Sequence, residues 1–590
     1  MNKLQLTTLL LAGWLFAGTP EVVAQSRLLD ALPAETLGVL AVDDVDHLKE
    51  VWSESRMGQL WADAAFGDVR AEAGLLMDEA DGMAVQLTGS SPFELLNLLH
   101  GPMCFAVLAL EVRDFEVDAA IVWMLDAGEE IDTFSEEVDR LVDWLVDAKG
   151  MIFKTETYGD TYAAVMVDPE APTAEVRYGF VDSVLVISIQ SASLDRDVFG
   201  EIVDGLNGEA SSSFTEESPY RHSLAAVPGV EVRCWVDASE LARLSLETMP
   251  LGTQRDAYET GYEWVNLSSF ASTIEITPER SLTKMSLGFS DLGWMQEALL
   301  AGVDGQDPSL MQWIPESASI AQALDFDLSA LFDAFLGVMM ARDPEATRDM
   351  IAGMSEMEAD IGVHPRDDLL DNLNGQLALF VADVPANEGL PFGDPSAPAA
   401  NYALMLGLSD GEAMSATLDG VVRSQGMHVA RRLEEFEGYS MYSMPILPGM
   451  MLCYAVLDDL LVLSLSPSMV KDVLRRKANP ALPSLMTVKD VIERNELLPP
   501  ERTALVVQSV AEQMTGALRS MAAFVPVFDE MGVWVDEQGL PEGDFFDFKG
   551  LVESLGAVDP AVIEKYYRGA FSLQSISLSE EGLLFVSTGP

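Results

Sequence analysis

A serine three residues ahead of a lysine at the start of a helix is a nucleophile pattern, because one helical turn brings the amine near the hydroxyl proton. Ser468-Met469-Val470-Lys471 has that spacing. The Ser-Asp-Asn and Lys-Thr-Gly elements that complete such serine acyl-transfer sites are missing from the sequence. Ser468 is therefore expected at a helix N-terminus, and Lys471 in a solvated run that continues to Arg475, Arg476 and Lys477. The five histidines, His47, His100, His222, His364 and His428, are scattered, and none falls in a His-Glu-x-x-His pattern. Nucleophile-elbow, phosphate-cradling and dinucleotide fingerprints are absent as well.

Acidic clusters offer oxygen ligands for calcium: Asp43, Asp44 and Asp46; Asp325 and Asp327; Asp78, Glu79 and Asp81 before Gly82. None keeps the spacing of an EF-hand loop. Asp43 and Asp325 each follow a strand-like run and precede an apolar-periodic helix, so capping and the helix dipole account for them. The three cysteines, Cys104, Cys234 and Cys453, each lie in an apolar strand-like run and are expected as small buried hydrophobes, with one disulfide left open. No catalytic, cofactor-binding or metal-binding residue is assigned, and no cofactor is implied.

The elements that carry these residues occur twice, at an offset of roughly 275–283 residues. Leu32-Pro33-Ala34-Glu35-Thr36 leads into the strand Gly38–Val42 and the helix start Asp43-Asp44-Val45-Asp46. Ile314-Pro315-Glu316-Ser317-Ala318 leads into Ile320–Leu324 and Asp325-Phe326-Asp327-Leu328-Ser329. Leu95–Gly101 before Cys104–Leu110 corresponds to Leu369–Gly375 before Leu377–Val381, with each glycine expected as a left-handed helix cap. The hairpin Tyr178–Ser188 aligns without a gap to Tyr454–Ser464, with aspartate in each turn. Helices are expected near Leu194–Leu206 and Ser468–Lys477. Antiparallel runs close each copy: Ser272–Ile276 with Leu282–Leu287, and Leu573–Leu578 with Leu583–Ser587.

This pattern predicts an α+β fold: two tandem copies of a domain with an antiparallel sheet and helices packed on one face. The expected units are a signal peptide over 1–24, a first repeat over 25–290, a linker over 291–309 and a second repeat over 310–590. A helix is expected over Asp132–Lys149, with Thr133 and Glu136 as its capping box. The Pro/Gly/Ala-rich stretch Ala386–Ala400 is expected as a surface loop. The Leu-Pro-Ala-Glu-Thr opening, its strand and the Val-Asp-Asp-Val-Asp helix start resemble uncharacterised exported bacterial proteins classed as a domain of unknown function. The resemblance implies export and an α+β fold, and carries no catalytic residues.

Residues 1–24 have the layout of a secretory signal: Lys3, an apolar run from Leu4 to Ala17, and Val22-Val23-Ala24 before a cut at Gln25. That run is too short to span a bilayer, and the later apolar stretches Leu331–Ala341 and Met521–Phe528 are shorter still. An exported protein, periplasmic or extracellular and without a membrane span, is expected. With 96 acidic against 34 basic residues the formal net charge is −62, which repels nucleic acid and anionic lipid. Apolar content of 49% with 29 methionines supplies ample core material.

The functional expectation is a non-enzymatic exported protein that acts by binding or within a cell-envelope assembly. The first alternative is a periplasmic carrier of an apolar ligand or lipid, for which methionines provide an adaptable lining. The second is a hydrolase whose site is assembled from distant residues.

Overall fold

The computed structural model describes residues 27–590 apart from 89–90, 92–96, 114–115, 168, 170–172, 211, 229–230, 250–251, 253–254, 256–258, 260–265, 291–292, 304–308, 383–401, 448–449, 519 and 521–547. The signal segment 1–24, the Ala386–Ala400 loop and Met521–Phe528 lie outside the described residues.

The first repeat contributes β1 (Gly38–Val42), β2 (Met103–Arg113), β3 (Glu116–Asp126), β4 (Ile152–Tyr158), β5 (Thr161–Val167), β6 (Ala174–Val181), β7 (Val184–Ser191), β8 (Val232–Asp237), β9 (Leu267–Ile276) and β10 (Ser281–Phe289). The second contributes β11 (Ala318–Asp325), β12 (Leu373–Ala382), β13 (Tyr402–Leu408), β14 (Arg432–Phe436), β15 (Tyr439–Leu447), β16 (Met450–Val456), β17 (Leu460–Ser464), β18 (Ala504–Ser509), β19 (Phe571–Ser579) and β20 (Gly582–Gly589). In the first repeat the pairing runs β4-β5-β6-β7-β3-β2-β1-β8-β9-β10. In the second it runs β14-β15-β16-β17-β13-β12-β11-β18-β19-β20, the same order strand for strand. All of these pairs are antiparallel. The ungapped hairpin match is real: Phe180 pairs with Leu185 and Val456 with Leu461, the same register in both copies.

Both halves belong to one twenty-stranded sheet, because the last strand of each repeat pairs with the other, from Ser281–Gly589 to Gly288–Gly582. The antiparallel seam relates the repeats by a pseudo-two-fold axis, as in a dimer whose subunits share one chain. Leu584 packs against the cores of both repeats, and Leu282 of the first repeat lies in the core of the second. The stretch 291–309 holds the helix Trp294–Ala301, which packs against the second repeat's helix Leu328–Arg342.

Side-chain alternation explains how the sheet is covered. Val184 and Val186 face one core and Leu185 and Ile187 another, because successive residues of a strand point to opposite faces. Helix Val198–Leu206 covers the first face, burying Phe199, Ile202 and Val203. Helix Ile131–Lys149 covers the second with Phe134, Val138 and Val142. A strand buried on both sides must be apolar throughout, which is why β7 and β17 read as continuous Val/Leu/Ile runs. The capping box expected at Thr133 and Glu136 does not form. Glu130 stands at the N-cap, and the Thr133 hydroxyl donates to Glu130 Oε2 at 3.4 Å. Gly375 is not a helix cap either. It sits within β12 at φ 88°, beside an irregularity in the β12–β13 register, where a Cβ would stand 2.9 Å from the Phe326 carbonyl.

Candidate functional site

The helices that follow β1 reach out of the first repeat and pack on the helices between β18 and β19 of the second. Leu60, Phe66 and Val69 share a buried cluster with Val510, Ala511, Val558, Ile563, Tyr567 and Ala570. The local sequence builds this arm. Helix Val45–Glu54 starts at Asp44, whose carboxylate accepts from the His47 N–H at 2.9 Å. At Ser55 the chain turns, and the serine hydroxyl caps helix Arg56–Ala62 through the Gly58 N–H at 3.0 Å. The corner is so tight that a Cβ on residue 58 would lie 1.9 Å from the Trp52 carbonyl, so only glycine fits there.

This corner sets Trp52 beside Met57, Leu60 and Trp61. Together with Phe66 they form one wall of a cavity of about 430 Å³. Met514, Ala517 and Leu518 from the helical stretch 510–518, Leu555 from helix Phe548–Gly556 and Ile563 from helix Pro560–Tyr567 form the other. Every lining residue is apolar. Met57 and Trp61 are each 39% exposed and mark the mouth, whereas Leu60 and Ile563 are buried and form the floor. The volume falls within the roughly 300–1,000 Å³ of small-molecule sites.

Polar groups clasp one end of the arm. Asp63, just past helix Arg56–Ala62, accepts from Lys565 Nζ at 2.7 Å and from the Tyr566 hydroxyl at 2.8 Å. The Ala65 N–H and these two partners hold the Asp63 carboxyl well below the usual carboxylate range and raise Lys565. Arg70 donates to the Trp61 and Asp63 carbonyls, tying down the same end. Arg56, at the start of helix Arg56–Ala62, is half-buried, and Tyr567, next to Tyr566 at the end of helix Pro560–Tyr567, is 1% exposed. Burial pushes the Tyr567 hydroxyl up to about 12, against the opposing charge of Arg56.

The residues singled out in the sequence lie elsewhere. Lys471 does not serve Ser468: its amine pairs with Glu434 Oε1 at 2.7 Å and lies over the Phe436 ring. The Ser468 hydroxyl is 2.8 Å from that of Ser466. Asp78, Glu79 and Asp81 lie within helix Gly67–Thr88 rather than in a loop, and Asp81 accepts from the Ser91 hydroxyl at 2.6 Å. Among the described residues, no group of three or more His, Cys, Asp or Glu side chains could hold a metal ion. His100 Nδ1 is 2.7 Å from Asp46, and His364 caps a short helical turn. His47 is partly exposed near Glu50, and His428 lies in a short 3₁₀ turn.

The caps belong to Asp44 and Asp327, one and two residues beyond the positions expected, while Asp43 and Asp325 turn inward. Asp43 pairs with Arg233 at 2.9 Å, with only 13% and 8% of the two side chains exposed. Burial raises the Asp43 carboxyl to about 6 in spite of the arginine.

All three cysteines are free. Cys104 is opposite Ala41 and Cys234 opposite Leu40, on the two sides of β1. Their side chains therefore point to opposite sheet faces, about 10 Å apart in strand spacing, beyond the reach of a disulfide. Burial raises all three thiols, Cys453 to about 11, so none is a ready nucleophile.

The cavity residues were not foreseen from the sequence. A pair of tryptophans, Trp52 and Trp61, on short helices of a very acidic chain was the available signal. Their partners arrive some 450 residues later, with no spacing to link them.

No protein-family model matches the chain, and no curated protein matches it. Among solved structures, crystal form I of TP0453 is similar at 10% identity and a TM-score of 0.24, covering 45% of this chain and 79% of that one. Crystal form III of TP0453 is similar at 10% identity and the same TM-score, covering 48% of this chain and 90% of that one. Among the described residues, no helix is long and apolar enough to cross a membrane.

Proposed function

We propose that the chain is a non-enzymatic binding protein, delivered outside the cytoplasm by its N-terminal signal, which holds the apolar chain of a small ligand between its two repeats. The observation that carries this is the cavity between the arm of the first repeat and the helices of the second, with no polar side chain in its lining. Such a site offers transfer of hydrocarbon from water, worth about 0.8 kcal/mol for each buried CH₂, and no group to orient a reaction. Met57 and Met514 suit a lining that adapts to chains of different shape.

The test is titration with the neutral fluorophore N-phenyl-1-naphthylamine, which brightens in apolar surroundings. Saturable brightening is expected with the wild type. It should be lost in Ala517→Trp, which fills the exposed rim of the cavity while leaving the unfolding temperature unchanged. Equal binding by the variant, or none by the wild type, would remove the proposal.

A further inference from the structure

Helix Leu328–Arg342 carries the apolar stretch Leu331–Ala341, and only Ser329, Asp333 and Arg342 in it are polar. A helix apolar on every side belongs in a core. This one packs beside helix Trp294–Ala301 and helix Pro344–Ile361, yet none of residues 328–341 is buried. Phe335 and Met340 on it, and Ile351 and Met357 on helix Pro344–Ile361, are 38–47% exposed.

The pseudo-two-fold relation shows what is missing. Each repeat sends out a helical arm after its first strand. The arm of the first repeat is covered by helices from the 61 residues between β18 and β19, 510–570. The equivalent seat for the second arm is the stretch between β8 and β9, 238–266, which has 29 residues. With half the chain available to cover it, the apolar face of the second arm stays in water.

Charge selects the occupant. Met350, Met354 and Met357 fall at i, i+4 and i+7 along one side of helix Pro344–Ile361. Glu345, Asp349, Glu356 and Asp360 line another side and are all exposed, and Arg348 is the one base on that helix. A second copy would set this row of carboxylates against its own image, and an anionic bilayer repels a chain of net charge −62. A helix with an apolar face flanked by lysine and arginine complements both features, and methionine side chains adapt to its shape.

We infer that the helical hairpin 328–361 docks a basic amphipathic helix of a partner protein. Phe335, Met340, Ile351 and Met357 receive its apolar face, and the carboxylate row pairs with its cations. No residue of this hairpin lines the cavity, so apolar binding there stands or falls separately.

The probe is a labelled leucine–lysine peptide patterned as an amphipathic helix of about 14 residues, followed by fluorescence anisotropy beside the same residues in scrambled order. Saturable binding of the patterned peptide alone is expected. Met340→Gln with Met357→Gln should weaken it at least about tenfold without lowering the unfolding temperature, and so should Glu356→Gln with Asp360→Asn. Glu209→Gln with Glu279→Gln removes two exposed carboxylates of the first repeat and should change binding by less than about twofold. No binding by the wild type, equal binding of the scrambled peptide, or equal binding by the methionine variant refutes the docking site. Self-association in analytical ultracentrifugation, or flotation with phosphatidylcholine vesicles, that the methionine variant abolishes would put a second copy or a lipid surface there instead and overturn the inference.

Discussion

The buried pair Asp43–Arg233 allows a test of which force dominates at the end of β1. Burial and the arginine act on the carboxyl in opposite directions, and burial wins, taking it from 3.8 to about 6. The folded protein therefore holds the Asp43 proton more tightly than the unfolded chain does. Its contribution to stability is complete below the unfolded value and is lost as pH rises through about 6. At full transfer the shift corresponds to about 3 kcal/mol, and to about 2 kcal/mol after allowance for solvent screening of a partly covered carboxyl. Asp43→Asn removes the titrating group and leaves the other carboxylates in place. Urea unfolding of both proteins, followed by circular dichroism at about pH 4 and about pH 7, isolates Asp43 as the difference between them. The asparagine variant should gain about 2–3 kcal/mol on the wild type over that interval. A flat difference, or one in which the wild type gains with rising pH, would show that attraction to Arg233 outweighs burial and would refute the reasoning. The second repeat provides a natural comparison: Leu505 occupies the register position of Arg233, opposite Ala323 as Arg233 is opposite Ala41.

The seam and the thiols give two further checks. Gly582 has φ 154°, and a Cβ there would come 2.1 Å from the Leu287 carbonyl, so Gly582→Val should force β10 and β20 apart. A loss of at least about 2 kcal/mol in urea unfolding is expected, with faster proteolysis between the repeats. Gly74→Ala, in open space on helix Gly67–Thr88, serves as the control and should change stability by no more than about 1 kcal/mol; equal effects at the two sites would argue against a close-packed seam. Cys104 and Cys453 should resist a thiol reagent in the folded protein, and three thiols should titrate in denaturant. Fewer than three would indicate a disulfide.

The helix Ile131–Lys149 and the β6–β7 hairpin with its copy were legible because their signals are local: a 3.6-residue apolar period, and paired Val/Leu runs around an aspartate turn. Caps were legible in kind but not in position. Adjacent aspartates compete for one N-cap, and sequence does not show which side chain turns inward to Arg233. The Ser468–Lys471 pattern misled because spacing along a helix does not reveal that Glu434, on another strand, claims the lysine.

By itself the sequence determined that the chain is a duplication, that each copy is α+β, and that its strands run antiparallel, since repeat offset, apolar period and turn chemistry are all properties of neighbouring residues. Only the tertiary structure decided that the two copies share one sheet through β10 and β20, that the first repeat's arm packs on the second repeat's helices, and that an apolar cavity forms between them. Those features depend on contacts between residues some 300–500 positions apart, such as Asp63 with Lys565. No local period records which of two equivalent partners a strand or helix will meet, because both offer the same apolar face and the long-range packing makes the choice.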